Sequence, residues 1–204
     1  MLKTQSFKLI SIVFILLMAD NSISMASDRT EKQKYSVVHT EKNFEIRHYP
    51  EATLATVYSS AGSYRKIAYS GFRKLAGFIF GGNETNTSIA MTSPVHMDIN
   101  PSKSSMSFVL PSAYHGKTIP NPRDPDVVVQ QTEEEYVAAI RFRGYASDRD
   151  IRKYSEKLKR LLDEHGIPYT GNSRYLGYNP PYQVFGRKNE VIITVAWPEG
   201  NQDQ

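Results

Sequence analysis

Ser63-Tyr64-Arg65-Lys66-Ile67-Ala68-Tyr69-Ser70-Gly71-Phe72-Arg73-Lys74-Leu75-Ala76-Gly77-Phe78-Ile79-Phe80 is the segment where the hydrophobic period of the chain changes. Tyr64, Ile67, Ala68, Gly71, Phe72, Leu75, Phe78 and Ile79 recur at i, i+3 and i+4, which predicts an amphipathic helix. Gly81-Gly82-Asn83 stops it. On its N-terminal side the period is two. Tyr35–Val38, Phe44–Tyr49 and Ala52–Ser59 read as strands, with Pro50 closing the second. On its C-terminal side Ser88–Ile99 and Met106–Leu110 read as two more, followed by a loop, Pro111–Pro125, rich in proline, asparagine and glycine.

The same order then recurs. Asp126–Gln131 and Tyr136–Arg143 read as strands, and Ser147 with Asp150 makes a capping-box-like helix start. Ile151, Tyr154, Leu158, Leu161 and Leu162 mark the buried stripe of a second helix, ended by Gly166 and Pro168. Tyr175–Tyr178 and Glu190–Trp197 read as the last strands. The chain thus holds two copies of strand–helix–strand–strand. Each copy alone leaves its sheet half covered, whereas two together pair their sheets and lay both helices on one face. The expected fold class is α+β, with two β-α-β-β repeats forming a distorted antiparallel sheet or barrel flanked by two helices. A crevice between helix and strands is a usual place for a small ligand.

Composition narrows the function. The 204 residues are 40% hydrophobic and 23% charged, ordinary globular values for one compact domain. There is no cysteine, which removes disulfides, thiolate metal sites, a cysteine nucleophile and the C-x-x-C-H of covalent heme. The formal charge is +4, from 25 Lys+Arg against 21 Asp+Glu, with the basic residues scattered among acids. No nucleic-acid partner is therefore expected.

The first residues carry an export pattern. Met1–Lys8 holds two lysines and no acid, Leu9–Ala19 is apolar, and Ser24-Met25-Ala26 offers a small-residue cut site. Residues 1–26 are expected to be a signal peptide, with an uncleaved anchor as the alternative, and 27–204 a single domain that is periplasmic or secreted. No other apolar run spans a bilayer, so no stable membrane insertion is expected after the signal is removed. Asn83-Glu84-Thr85 and Asn86-Thr87-Ser88 are glycosylation sequons.

Catalytic signals are sparse. No serine lies in a Gly-x-Ser-x-Gly context, and Gly81-Gly82 lacks the lysine and hydroxyl of a phosphate loop. Glu133-Glu134-Glu135 reads as a solvated turn, and no histidines stand at i, i+4 for zinc. No enzyme activity is expected.

Several segments together resemble the SOUL heme-binding family. They are Phe44-Glu45-Ile46-Arg47-His48-Tyr49, Gly71-Phe72-Arg73-Lys74-Leu75, Ile89-Ala90-Met91-Thr92-Ser93-Pro94-Val95, Phe108-Val109-Leu110-Pro111, Pro120-Asn121-Pro122, Gly177-Tyr178-Asn179-Pro180-Pro181 and Asn189-Glu190-Val191. Their order and spacing match along roughly Tyr35 to Val195. The resemblance implies two β-α-β-β halves and reversible, non-covalent binding of heme or a related porphyrin, without a catalytic reaction. The expected role is an exported carrier, buffer or scavenger. Two alternatives stay open: a module for another small amphipathic ligand on the same fold, and an interaction protein with no small ligand.

The resemblance also carries site residues. It puts His48 where some members have a histidine proposed as axial ligand. By strand alternation His48 shares a face with Phe44 and Ile46, and it reads equally as a histidine satisfied by its neighbours. One pocket wall matches Ser70, Arg73, Lys74 and Gly77, where Arg73 or Lys74 either meets a propionate or is a solvated helix charge. A second wall is Tyr182-Gln183-Val184-Phe185, of which Gln183 and Phe185 are expected at the ligand. Other members carry basic residues at the places of Ser70 and Gln183. Met91 and Met97 read as core filler and His96 as exposed, on the opposite strand face. His39, His115 and His165 read as loop or helix-end residues without matching partners.

Overall fold

The computed structural model describes residues 30–60, 62–100, 103–180 and 182–198. The expected signal, 1–26, lies outside them. The chain divides into two units, residues 1–31 and 32–204, and the second carries the fold. Its elements are β1 (Ser36–Thr40), β2 (Glu45–Tyr49), β3 (Ala52–Ser59), α1 (Tyr64–Ile79), β4 (Val95–Asp98), β5 (Ser104–Val109), β6 (Val127–Thr132), β7 (Glu135–Arg143), α2 (Asp148–Glu164), β8 (Tyr169–Gly177) and β9 (Lys188–Val195).

The strands form one sheet in the order β1-β2-β7-β9-β8-β4-β5-β3-β6, and each neighbouring pair is antiparallel. β1 and β6 are its two edges, so the sheet is open and not a barrel. The two repeats are β3–α1–β4–β5 and β7–α2–β8–β9. They join through the central β4–β8 pair, where Met97 opposes Tyr175 and His96 opposes Leu176. The strand before each repeat crosses to the other half. β2 precedes β3 but pairs with β7, placing Ile46 opposite Ala138, and β6 precedes β7 but pairs with β3, placing Val129 opposite Ala55.

Both helices lie on one face. α1 buries Ile67, Gly71, Leu75, Phe78 and Ile79, and α2 buries Ile151, Leu158 and Leu162. They cover a core of Ile46, Val57, Met106, Phe108, Ile140, Phe142, Val191 and Ile193. The helices start close together. Ser147 caps α2, accepting from the Asp150 N–H at 3.2 Å. Ser63 makes no side-chain cap on α1; instead Asp148 Oδ1 accepts from the Tyr64 N–H at 2.7 Å. The first residue of one helix thereby caps the first residue of the other. Tyr64 continues the contact edge-to-face on Tyr175, 5.4 Å away.

Three expectations are corrected. The strand expected over Ser88–Ile99 shrinks to Thr92–Ser93 and β4. Its first part is folded back on the end of α1, because Asn83 Nδ2 donates to Phe78 O (3.1 Å) and Thr87 O (2.7 Å), and Ile89 N donates to Ile79 O. Asn83 is consequently buried, and one of the two sequons is structural. The strand expected from Tyr175 begins six residues earlier, at Tyr169, since its polar start hid the alternation. His96 is not exposed: it is buried on the sheet face away from the helices and meets Gln33 Oε1 at 2.7 Å.

Candidate functional site

The connection between β8 and β9 is held from beneath by Arg187. Its Nη1 donates to Pro180 O (2.8 Å) and Gln183 O (2.9 Å), and its guanidinium stacks on Tyr145 at 4.6 Å. Asn179 adds a clasp, donating to Gln183 Oε1 and accepting from the Lys188 N–H at 2.6 Å. Gly186 turns the chain at φ 67°, a conformation that favours glycine. A loop tied this way cannot fold its side chains under itself. Tyr182 is 70% exposed, Val184 57%, Phe185 86%, and the neighbouring Tyr145 57%. These form an exposed apolar patch of the sort that marks a contact surface. Gln183 faces inward and serves the loop, donating to Phe185 O at 3.0 Å.

Two cations stand at the same strand ends, where Lys188 opposes Arg143. Arg143 is exposed and has no carboxylate at ion-pair distance among the described residues. Lys188 reaches over the Tyr178 ring at 4.1 Å.

Ser70, Arg73, Lys74 and Gly77 share one flank of α1. Ser70 Oγ donates to Lys66 O, Arg73 is exposed, and Lys74 is engaged by Asp126. That hydrogen bond raises the Lys74 ammonium pKa. Asp126 precedes β6, whose Val127 opposes Val57 near the far end of β3. The opposite flank carries Phe72, which packs on Phe108, in line with Val95 and Gly177. The β8–β9 loop leaves the sheet at that Gly177 end.

His48 lies in the other half. Four strands separate β2 from β5, over which α1 packs. Its Nε2 is 3.1 Å from Glu134, and its ring leans on Tyr136 at 4.9 Å. The histidines expected in loops or at a helix end without partners have acidic ones: His39, which lies on β1 and not in a loop, and His165 flank Glu41, and His115 meets Glu51. Met97 is buried in the core and Met91 packs against it.

Sequence reasoning missed a wholly buried ion pair. On the sheet face away from the helices, Arg47 donates to Glu190 through Nη1 (2.8 Å) and Nη2 (3.1 Å), both side chains wholly buried. Tyr178 OH donates to the same carboxylate at 2.6 Å, Arg141 and Lys188 approach it, and the Tyr35 ring covers Arg47 at 4.3 Å. Burial pushes the Glu190 pKa up, but the hydrogen bonds and charge of Arg47 outweigh it and hold the carboxyl at about 2. Arg47 is 143 positions away in sequence, so no local spacing signals the pair.

A cavity of about 210 Å³ lies under the loop that holds Tyr114 and Ile119, against Thr53 and Val129. It is below the roughly 300–1,000 Å³ of sites for drug-sized ligands and is too small for a tetrapyrrole. The described residues hold no cluster of three or more His, Asp or Glu side chains placed for a metal ion.

Comparison with known proteins adds the following. The family model described as SOUL heme-binding protein matches residues 30–194. Mouse heme-binding protein 2 is 29% identical over 159 residues, covering 74% of this chain and 77% of that protein. Mouse heme-binding protein 1 is 29% identical, covering 60% and 68%, and the Xenopus laevis heme-binding protein 1 is 26% identical, covering 72% and 81%. Among solved structures, the EcmrR C-terminal domain aligns with a TM-score of 0.57 at 8% identity, covering 79% of this chain and 98% of that one. A hydrolase from Listeria innocua aligns at 0.51 and 10% identity, covering 82% and 100%. At such identities the likeness is one of fold alone.

Proposed function

Since the chain belongs to the SOUL heme-binding protein family, we propose that it is an exported carrier that holds heme or a related porphyrin reversibly and does no chemistry on it. The observation that supports this best is the β8–β9 loop, which keeps Tyr182, Val184 and Phe185 exposed while Arg187 fixes its backbone. A porphyrin is a flat apolar disc with two carboxylates on one rim. Its face suits the Phe185 and Tyr182 rings, and its rim suits the Arg143 guanidinium beside them. The residues fit the ring better than they fit its iron. His48, the candidate axial ligand, opposes Tyr136 near the start of β7, whereas the loop enters β9 opposite Arg143 at the end of β7, and His48 is already engaged by Glu134. Heme supplies no chemistry here beyond its own affinity; the chain binds it and shields one face from water.

Arg73 is an exposed cation of the α1 flank with no ion pair among the described residues, and a ring lying there is the competing placement on the same protein. A hemin titration of residues 27–204, with Phe185→Ser and Arg73→Ala beside it, separates the two. Loss of affinity by about tenfold in F185S alone places the ring on the loop. Loss in R73A alone places it on the helix flank. No saturable Soret change in the parent protein rejects tetrapyrrole binding and leaves a different amphipathic ligand.

A further inference from the structure

We infer that the β8–β9 loop end of this protein docks on an anionic lipid surface, with Tyr182, Val184 and Phe185 in the interfacial layer and a rim of arginine and lysine on the headgroups. The inference deepens the reading of that loop and stands on separate features. Apolar and aromatic tips backed by cations are the recognition pattern of a lipid interface.

The charge distribution around the loop is one-sided at the surface. Arg141 and Lys188 are half exposed and share the wholly buried Glu190, while Arg141 also meets the partly buried Glu45, so the cations are more exposed than their acids. Arg143, opposite Lys188, adds an exposed guanidinium with no ion pair among the described residues. The loop is tied to the start of α2, since Asn189 Nδ2 donates to Gly144 O at 2.7 Å and Arg187 stacks on Tyr145. There the acids are turned to structure: Asp148 caps Tyr64 and Asp150 meets Ser147 at 2.6 Å. Arg149, Arg152 and Lys153, beside them, are exposed. The apolar tip and the cations therefore lie around the same corner of the fold.

Four side-chain-to-main-chain bonds, from Arg187 to Pro180 O and Gln183 O, from Gln183 to Phe185 O, and from the Lys188 N–H to Asn179 Oδ1, fix the tip without burying it. Little ordering entropy then opposes insertion. No helix among the described residues is long and apolar enough to cross a membrane. A porphyrin partitions into lipid, and a loop that rests on lipid meets its ligand where the ligand is dissolved.

The test is co-sedimentation of heme-free protein, residues 27–204, which contain the whole 32–204 unit, with vesicles of phosphatidylcholine alone and with one third phosphatidylglycerol. The protein is expected on the anionic vesicles, about tenfold enriched over the neutral ones and released by salt. Tyr182→Ser with Phe185→Ser is expected to lose most of this binding, and Arg143→Glu to lose its charge dependence, each with an unchanged circular dichroism spectrum. Absence of sedimentation, or equal sedimentation of the double variant, overturns the inference. A concentration-dependent dimer abolished by the double variant would overturn it in favour of a second copy of the chain. Hemin is absent throughout, so a failure of tetrapyrrole binding leaves this result readable.

Discussion

Arg187 Nη1 donates to the main-chain oxygen of Gln183 at 2.9 Å, and through that bond a buried guanidinium decides which side chains of the β8–β9 loop meet solvent. The planar fork serves two carbonyls and stacks on Tyr145 at once, a geometry a lysine cannot reproduce. Arg187→Lys is expected to cost about 1–3 kcal/mol of stability in urea unfolding and to weaken hemin binding although it touches no ligand. Unchanged hemin affinity in a folded R187K protein would mean that loop shape is irrelevant to binding.

Gly77 gives a contrasting prediction. A Cβ built there meets no atom within 4 Å, so alanine fits without a clash. In the last turn of α1 the change removes backbone freedom from the unfolded chain and is expected to stabilise by up to about 1 kcal/mol. Hemin affinity should not move if the ring lies on the loop. Tighter folding with lost hemin binding would return the site to the α1 flank. Gly82 is the opposite case, because its Cβ would lie 2.5 Å from Gly77 O.

The buried pair predicts a large loss. Glu190→Gln leaves Arg47 uncompensated in the sheet and is expected to cost about 3–5 kcal/mol in chemical unfolding. The native carboxyl ionises at about 2 and the unfolded one at 4.5, so its stabilisation is complete above 4.5 and is lost as pH falls towards 2. Glu190→Gln should remove that part of the acid transition.

His96 titrates in an overlapping window. Burial, with Arg174 nearby, lowers its pKa to about 3 from 6.5. The unfolded chain therefore binds a proton below 6.5 that the native state refuses. Stability falls with pH between 6.5 and about 3, by up to about 1.4 kcal/mol per unit. His96→Gln, which cannot be protonated, should flatten the profile there. An unaltered slope would mean that His96 takes up its proton in the folded protein.

Much of the fold was legible because both helices and most strands keep one face apolar. Ala52–Ser59 matches β3 residue for residue, and Ser63–Phe80 brackets α1. Strand order was not legible. Period two tells which way Ile46 points, yet it is silent on whether its neighbour is Ala55 or Ala138, and the exchange of β2 and β6 rests on that difference. Alternation also says nothing of what covers Arg47, which points to the face opposite that of Ile46 and is buried there by Tyr35 and Glu190. At the site, Phe185 was named from the family pattern. Arg187 was not, because its role lies in carbonyls that turn back on it and leave no mark in residue type.

The most direct measurement is the absorbance of residues 27–204 titrated with hemin, beside the Phe185→Ser and His48→Ala variants. The expected result is a saturable Soret change at one equivalent in the parent protein, the same spectrum in H48A, and affinity lower by about tenfold in F185S. A non-saturating response in the parent protein would contradict tetrapyrrole binding. A Soret shift confined to H48A would place the iron at β2 and not at the loop.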